Sequence, residues 1–420
     1  MKLTRASVLA VLLAGMVGLA VGPRAPVQAA ARSSSVTLTM WVHSDPNYER
    51  IANQFASEYQ KKTGVKISLT FFPWADGQAK LATAFAAHDA PDVIQGVGSW
   101  LFAEKHAKEL APVPKSIASN FKNIDSASLV PVKFNGKYYG VPFNVNIDAG
   151  PLFIYNKTLY AQDKIPHKWS SWSAYIKNMQ KLTMSSGGTI LRSGIEVAGA
   201  DVVIQFLMYF LQDGGKLNPP GKATVNINNK YGREALQTMW DYLYKYKIDS
   251  TDQTAYEGIG SGTAASVYWG AWMTKLLQDD FPNFQYGWAT EPMRPGQKPY
   301  FPGTNVWAWM VPTSSAHKSA AWAYISWLNQ KAQRLAMSKA TGEIPALKTL
   351  WKDPQVAKDP RWAAWIPYLK YQVPLLYQAP QDAYYNNLDN MVESVLLNKS
   401  SIPAALKQYQ TIINNAVTGH

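Results

Sequence analysis

The chain has 420 residues, 47% of them hydrophobic, and it contains no cysteine, which excludes disulfides, thiol catalysis and most zinc sites. The formal net charge is +13, a value that could indicate a nucleic-acid or anionic partner. The basic residues are scattered, however, and they never run longer than the pair Lys61–Lys62. A solvated surface is therefore the better interpretation, and an anionic ligand stays open as a minor alternative.

The first residues have the pattern of a secretory signal. Lys2 and Arg5 precede an apolar stretch over 7–22, and small residues follow at 27–29. This pattern predicts a cleavable signal peptide over residues 1–30, and the apolar stretch is short for a membrane span. An uncleaved anchor is the competing interpretation. Because no cysteine is available for lipid attachment, we expect a soluble protein exported to the periplasm or the cell-surface space.

A parallel sheet is predicted from the first elements in chain order. The apolar run over 36–42 predicts a strand, and Asp45 with Pro46 predicts the start of a helix. That helix places Ile51, Phe55 and Tyr59 on one face and ends at Gly64. A second strand over 65–72, a helix around 80–87 and a short buried strand over 91–94 complete a β-α-β-α-β order. Such an order begins a doubly wound lobe, in which ligands meet the loops at the carboxyl ends of the strands.

The segment over 135–157, NGKYYGVPFNVNIDAGPLFIYNK, is the most informative stretch of the chain. An Asn135-Gly136 turn and two apolar runs alone predict a hairpin or two strands near a turn. The whole string also resembles the place where extracellular solute-binding proteins of the maltose-binding type first cross from one lobe to the other.

Further segments carry the same resemblance in the same order, from about residue 36 to 415. They are WVHSDPNY after the first strand, APDV at the third, GTAASVYWGAWM over 262–273, PYFPGTNVWAWMVP over 299–312 and TGEIPA over 341–346. The resemblance implies an α/β periplasmic-binding-protein type II fold, with two discontinuous doubly wound lobes joined by a hinge. It places the N-terminal lobe at 36–144 plus 303–346 and the C-terminal lobe at 145–302 plus 347–420, with final helices over 383–397 and 402–417.

Motifs for catalysis are lacking in the sequence. It has no zinc-type histidine spacing, no G-x-S-x-G elbow, no phosphate loop and no G-x-G-x-x-G. The glycines at 258, 260 and 262 predict a flexible loop, and neighbouring carboxylates such as Asp279 and Asp280 point in different directions on a helix. We therefore expect no enzyme, no metal and no cofactor.

Aromatic residues are abundant, with 16 Trp and 23 Tyr. Trp and Tyr combine a flat apolar face with a polar tip, which suits stacking on sugar rings. Most of them must nevertheless be core residues: Trp322 and Trp327 fall in one predicted helix, and Trp362 and Trp365 follow helical spacing.

Aromatic and polar residues at strand ends and lobe crossings are the predicted ligand contacts, because those loops line the cleft between lobes. After the three N-terminal strands they are Trp41, His43, Ser44, Asp45, Trp74, Asp76, Ser99 and Trp100. At the two crossings they are Asn144, Asn146, Gly303, Thr304, Asn305 and Trp307. In the C-terminal lobe they are Trp269, Trp272, Tyr384 and Tyr385.

Two of these predictions and one further candidate each have an alternative interpretation. The resemblance implies that Asp45 binds sugar hydroxyls, although Asp45 could equally serve only as a helix N-cap. Trp272 matches the family's stacking tryptophan, and burial in the core is its alternative. Glu343 is a weaker candidate that could equally be a surface charge.

The function that the resemblance implies is capture of a carbohydrate, in particular an oligosaccharide, by a monomeric protein that delivers it to the permease subunits of an ABC importer. Nucleic acid is not an expected partner. Two alternatives stay open: a secreted glycoside hydrolase or lyase, and a protein of the same fold that binds another ligand. The latter includes quaternary ammonium compounds, held by aromatic faces, and anionic uronic-type sugars.

Overall fold

The computed structural model describes residues 36–98, 100, 108–145, 147–148, 150–197, 202–219, 222–251, 255–303, 306–374 and 382–418. The predicted signal peptide lies outside these ranges. So do four predicted site residues, Ser99, Asn146, Thr304 and Asn305. Within the described ranges, no helix combines the length and the apolar character needed to cross a bilayer.

The strands of the described residues are, in chain order, β1 (Thr37–His43), β2 (Lys66–Phe72), β3 (Val93–Val97), β4 (Lys133–Phe134), β5 (Lys137–Tyr138), β6 (Val141–Pro142), β7 (Asn144–Val145), β8 (Phe153–Asn156), β9 (Met184–Ser186), β10 (Thr189–Arg192), β11 (Ser266–Val267), β12 (Tyr286–Ala289), β13 (Phe301–Gly303), β14 (Trp307–Met310), β15 (Ile344–Pro345) and β16 (Gln372–Pro374).

The α-helices of the same residues are α1 (Pro46–Thr63), α2 (Gly77–Ala86), α3 (Lys115–Ala118), α4 (Ser126–Leu129), α5 (Lys157–Gln162), α6 (Trp172–Leu182), α7 (Val202–Gln212), α8 (Lys230–Trp240), α9 (Ala255–Ser261), α10 (Met273–Asp280), α11 (Lys318–Leu328), α12 (Lys331–Thr341), α13 (Pro354–Ala357), α14 (Pro360–Ala363), α15 (Asn387–Leu396) and α16 (Ile402–Thr418). Short 3₁₀ or π turns include Trp74–Asp76, Asp241–Lys245 and Asp382–Asn386.

Helix α1 forms as the sequence predicts. The Asp45 carboxylate accepts hydrogen bonds from the backbone N–H groups of Asn47 and Tyr48, which satisfies two of the free donors at the helix start. At the other end Gly64 has φ 79°, a left-handed conformation that glycine adopts without strain. The predicted strands before and after α1 are also confirmed as β1 and β2.

A five-stranded sheet has the order β2-β1-β3-β14-β6. The first three strands are parallel, and β14 is antiparallel to both β3 and β6. Its strands come from residues 37–142 and then from 307–310, so the sheet is not continuous in sequence. This is the arrangement expected if the chain leaves one lobe and later returns to it.

A second sheet has the order β11-β8-β12 and is antiparallel about β8. The chain passes from the first sheet to this one through β7 and returns through β13. Each of these two connections pairs with a later strand: β7 is antiparallel to β15, and β13 is parallel to β16. Each connection between the two sheets is therefore hydrogen-bonded to a segment from later in the chain.

The Asn135-Gly136 turn is confirmed. Both residues have positive φ, 45° and 76°, and they join the antiparallel pair β4 and β5, as expected for a two-residue hairpin turn.

The predicted loop at the glycines is wrong. Gly258 and Gly260 lie within α9, and Gly262 follows it with φ 89°. A Cβ at Gly260 would lie 2.4 Å from the ring of Phe281. Gly260 therefore permits close packing of the helix against Phe281, and Gly262 adopts the left-handed conformation that follows the helix.

Predicted core aromatics and terminal helices agree with the structure. Trp322 and Trp327 are buried in α11, and Trp362 and Trp365 are fully buried. The two final helices are α15, which a π turn precedes, and α16.

Candidate functional site

Four predicted site residues meet at one edge of the five-stranded sheet. His43 ends β1, Trp74 follows β2, and Trp100 follows β3. Because β14 runs antiparallel to β3, its first residue, Trp307, lies opposite Val97 at the carboxyl end of that strand. Residues far apart in sequence thus converge where this sheet type places its ligands.

These residues form an aromatic cluster, defined here as His43, Tyr48, Trp74, Trp100 and Trp307. The imidazole of His43 stacks on the indole of Trp307, with ring centroids 5.1 Å apart. Trp74 lies 4.8 Å from Trp100 and 5.7 Å from Trp307 in tilted and edge-on contacts. Trp74 is 40% exposed, whereas Trp100 and Trp307 are 3% and 5% exposed. Trp74 is thus the accessible indole, and the two buried tryptophans support it.

Three other residues predicted to contact the ligand lie near this edge but outside the aromatic cluster. The Lys80 ammonium lies 4.8 Å from the ring of Trp41 and covers one of its faces. The Ser44 hydroxyl donates a hydrogen bond to Glu49 at 2.7 Å. Asp76 is exposed at the end of the turn that carries Trp74.

Asp45 is confirmed as an N-cap, since one carboxylate oxygen accepts both backbone hydrogen bonds at the start of α1. Its ligand contact stays a prediction. The same cap fixes Tyr48 in the first turn of the helix, with its ring 5.8 Å from that of His43. Sequence reasoning missed Tyr48, although its place three residues after the cap indicates that it shares the helix end with Asp45.

Polar groups line the inner side of the aromatic cluster. Asn144 is fully buried, and its side-chain oxygen accepts a hydrogen bond from the backbone N–H of Trp307 at 2.8 Å. The Tyr48 hydroxyl donates to the Glu343 carboxyl at 3.4 Å. Glu343 is only 6% exposed, so the surface-charge interpretation of this residue is wrong.

Glu343 is held in an unusual electrostatic environment. Burial raises the pKa of Glu343 to about 8, and the negative charges of Asp148 and Asp45 act in the same direction, while the polar groups of Asn144 and Tyr48 oppose them. The Glu343 carboxyl is therefore mostly neutral at pH 7. Burial also lowers the pKa of His43, against the attraction of the Asp45 carboxylate, and so disfavours the charged imidazolium.

The loop that carries Glu343 is fixed by hydrogen bonds from two indoles later in the chain. The Trp362 N–H donates to the Gly342 carbonyl oxygen at 2.8 Å, and the Trp351 N–H donates to the Pro345 carbonyl oxygen at 2.8 Å. Gly342 itself has φ 77° and ends α12. The position of Glu343 thus depends on residues that follow it in the chain.

The turn after β11 brings Trp272 to this loop. A Cβ at Gly342 would lie 2.9 Å from the Trp272 carbonyl oxygen, so the two backbones are in close contact. The Trp272 ring is half-buried and makes an edge-on contact with Trp269 at 5.9 Å. Trp269 is 7% exposed and packs among apolar side chains. Of the two tryptophans, Trp272 has the more accessible ring.

Two late predictions need correction. The space beside Gly303 is filled by the Gln372 side chain, which a Cβ there would approach to 3.0 Å, so this glycine accommodates Gln372. Tyr384 is 2% exposed, and its hydroxyl accepts a hydrogen bond from Asn218 at 2.9 Å. Its ring is part of the core and offers no platform, while Tyr385 is half-buried against that core.

Among the described residues, no group of three or more His, Asp or Glu side chains is placed to hold a metal ion.

Comparison with known proteins assigns the family. The sequence profile of bacterial extracellular solute-binding proteins matches residues 54–364, about three quarters of the chain. The chain belongs to this family. Its members are binding proteins, and this agrees with a site that consists of aromatic faces and hydrogen-bonding groups.

Relatives of this solute-binding protein align over almost its whole length. The maltooligosaccharide ABC transporter solute-binding lipoprotein of Streptococcus pneumoniae is 21% identical, over 97% of this chain and 95% of the relative. The galactooligosaccharide-binding protein of Bacillus subtilis is 22% identical, over 93% and 91%.

The solved structure of the GacH receptor of Streptomyces glaucescens, studied unliganded and with acarbose, superimposes with a TM-score of 0.79 at 20% identity, over 92% of this chain and 99% of the receptor. The solute-binding protein thus has the predicted type II fold, with two discontinuous lobes joined by a hinge.

Proposed function

We propose that this solute-binding protein captures a carbohydrate, in particular an oligosaccharide, in the cleft between its lobes and delivers it to the permease subunits of an ABC importer. The observation that carries the proposal is the aromatic cluster with its polar inner side, which combines flat apolar faces with amide, hydroxyl and carboxyl groups. Sugar rings need both kinds of contact. The relatives whose names specify maltooligosaccharide and galactooligosaccharide support the same ligand class.

The proposed lobes are residues 36–144 plus 303–346 and residues 145–302 plus 347–420. In this division the aromatic cluster and Glu343 belong to the first lobe, and Trp272 belongs to the second. A ligand that contacts both lobes favours the closed form by its differential affinity for that form. We propose that the monomeric protein works outside the cytoplasm, where the permease recognises its closed, ligand-bound form.

A hydrolase is the second candidate function, and one observation favours it. Glu343, with its raised pKa, lies near two other carboxyl groups, Asp45 and Asp148, and glycoside hydrolysis uses one neutral and one ionised carboxyl. The family membership favours binding without bond cleavage.

Titration calorimetry and product analysis test the proposal together. The purified protein is titrated with short α- and β-linked glucose and galactose oligosaccharides and is then incubated with the same sugars for a day. We expect saturable heat from at least one sugar, and no reducing ends above a blank without protein. Absence of binding to every sugar would contradict carbohydrate capture. Reducing ends that disappear in the Glu343→Gln variant would establish the hydrolase instead.

A further inference from the structure

Three carboxyl groups act on one another at the proposed site. Glu343 accepts a hydrogen bond from Tyr48, and Asp45 caps the helix that carries Tyr48. Asp148 lies on the connection between the lobes, and its charge acts on both Glu343 and Tyr48. The site is therefore acidic, although the protein as a whole has a net charge of +13.

The electrostatics of Glu343 have a direct consequence for ligand charge. Burial raises the pKa of Glu343, and the charged groups that add most to the shift are two further carboxylates, those of Asp148 and Asp45. Burial lowers the pKa of His43, which stacks on Trp307 in the same cluster, and so disfavours a compensating positive charge there. Another negative charge in this place would be repelled, whereas a positive charge would stabilise the ionised form of Glu343.

The neighbouring rings also favour a cation. Tyr48, which donates to Glu343, also contacts the ring of Trp307, and the 40% exposed ring of Trp74 lies at the open side of the same cluster. Aromatic faces attract ammonium groups through their quadrupole, most strongly where water is excluded. The positive charge that suits aromatic faces is an organic ammonium group.

We propose that the ligand is a positively charged carbohydrate, an oligosaccharide with a protonated amino group, whose ammonium binds the Glu343 carboxylate at the aromatic cluster, where Trp74 is the accessible indole. This inference rests on the proposed function, carbohydrate capture. Neutral sugars lose the charged contact, and uronic-type sugars, which the net charge alone would favour, are repelled. Because Glu343 is mostly protonated in the empty site at pH 7 and ionised when paired, binding releases a proton.

The test compares sugars that differ only in charge. Short β-1,4 oligomers of glucosamine and of glucose have the same linkage and differ at carbon 2 by an ammonium or a hydroxyl group, and N-acetylglucosamine oligomers add bulk without charge. Calorimetry at mildly acidic pH, where the amino sugar is protonated, should give affinity higher on the order of tenfold for glucosamine oligomers than for both neutral sets. Repetition in buffers of different ionisation enthalpy should show proton release.

Glu343→Gln keeps the shape of the protonated side chain and removes its charge. We expect this variant to fold and to lose most of the preference for glucosamine oligomers over the neutral oligomers. Glu58→Gln, at the exposed far end of α1, is the matched control and should keep the preference. Thermal melting checks the fold of both variants.

The possible failures differ in meaning. Glucose oligomers that bind as tightly as glucosamine oligomers would overturn the charged ligand and leave carbohydrate capture standing. Equal binding of N-acetylglucosamine and glucosamine oligomers would overturn it as well, because bulk would then explain the preference. A preference that survives in Glu343→Gln would overturn the role of this carboxyl. If glucosamine oligomers do not bind, the charged-ligand inference is wrong, and capture itself is decided by the wider sugar titration.

Discussion

At the level of single residues, Trp74 and Trp272 are the tryptophans of the site whose rings stay partly accessible. They come from different sides of the proposed cleft, and each rests on a more deeply buried tryptophan, Trp100 and Trp269 respectively. This pairing fixes the orientation of the outer ring and leaves one surface for a ligand, which is how a stacking platform is held in place.

Replacement of Trp272 by Ala should remove one such surface and its buried apolar area. We expect a loss of about 1 to 3 kcal/mol in binding free energy, or roughly 5- to 150-fold in affinity. Calorimetric titration and thermal melting of the same variant measure affinity and stability separately. Trp240→Ala is the control. Trp240 is a partly buried tryptophan at the end of helix α8, away from the site, and its indole N–H donates to Asn398.

The alternative for Trp272 is a purely structural role. In that case the variant should lose about 3 to 5 kcal/mol of folding stability. A protein that melts far earlier and still binds its sugar normally would remove Trp272 from the site.

Among the elements, α1 and α10 contact each other across the proposed cleft. The Asn47 side-chain N–H donates to Asp279 at 3.2 Å, and Arg50 donates to Asn47 at 2.9 Å. Lys275 pairs with Asp279 one turn away. Burial alone would raise the pKa of Asp279, but Lys275, Asn47 and Arg50 outweigh it and lower the pKa. In the proposed lobe division, these contacts join one lobe to the other.

Asp279→Ala should therefore weaken closure. Since partly exposed pairs of this kind contribute about 0.2 to 1 kcal/mol, we expect an affinity loss of up to about fivefold, which disappears at high salt. In solution scattering, saturating sugar should reduce the radius of gyration of the wild type, and the variant should need more sugar for the same reduction. Asp280→Ala removes the next, exposed carboxylate and should behave as wild type.

Two results would contradict this account of the helices. A radius of gyration that does not change while sugar is demonstrably bound would exclude a closing cleft. Equal effects of the two aspartate substitutions would show that α1 and α10 respond to total charge and not to the specific contact.

For the molecule as a whole, a second buried acid makes stability depend on pH. Glu291 is 3% exposed, and its carboxyl accepts hydrogen bonds from Tyr209 at 3.2 Å and Tyr242 at 3.0 Å. Burial raises the pKa of Glu291 to about 7, while the hydroxyl groups of Tyr268, Tyr242 and Tyr209 and the charge of Arg294 oppose the shift. The neutral carboxyl is the form that suits the folded state.

The sign of the pH effect follows from this raised pKa. The stabilising contribution of Glu291 is complete below its unfolded value near pH 4.5 and is lost as the pH rises through about 7. We expect the free energy of unfolding of the wild type to fall by about 3 kcal/mol over this pH interval because of Glu291. The Glu291→Gln variant should not show this fall. Urea unfolding at a series of pH values measures it, with Glu58→Gln as control. A variant with the wild-type pH profile would show that Glu291 ionises freely in the fold.

Sequence signals predicted the fold well where they are local. Asp45, Pro46 and Gly64 determine the limits of one helix by their own backbone chemistry, and the Asn135-Gly136 turn likewise forms from its own residues. Glu343 was not predictable in this way, because its burial depends on indoles of Trp351 and Trp362 that fold back from later in the chain.

The residues of the candidate site were only partly predictable for a similar reason. Trp269 and Trp272 are three residues apart in equally aromatic surroundings, yet one is enclosed and the other is half-exposed. The degree of exposure is decided by packing partners distant in sequence, such as Gly342, that no local pattern contains.

The pairings of β7 with β15 and of β13 with β16 have a mechanical consequence. Each ladder is only two or three residues long, so it resists shearing of one strand along the other while offering little stiffness against bending. These few backbone hydrogen bonds, on the segments that join the two sheets, give little resistance to a change of angle between the proposed lobes. Opening and closing would then cost little free energy, and a captured sugar would need only a modest difference in affinity to favour the closed form.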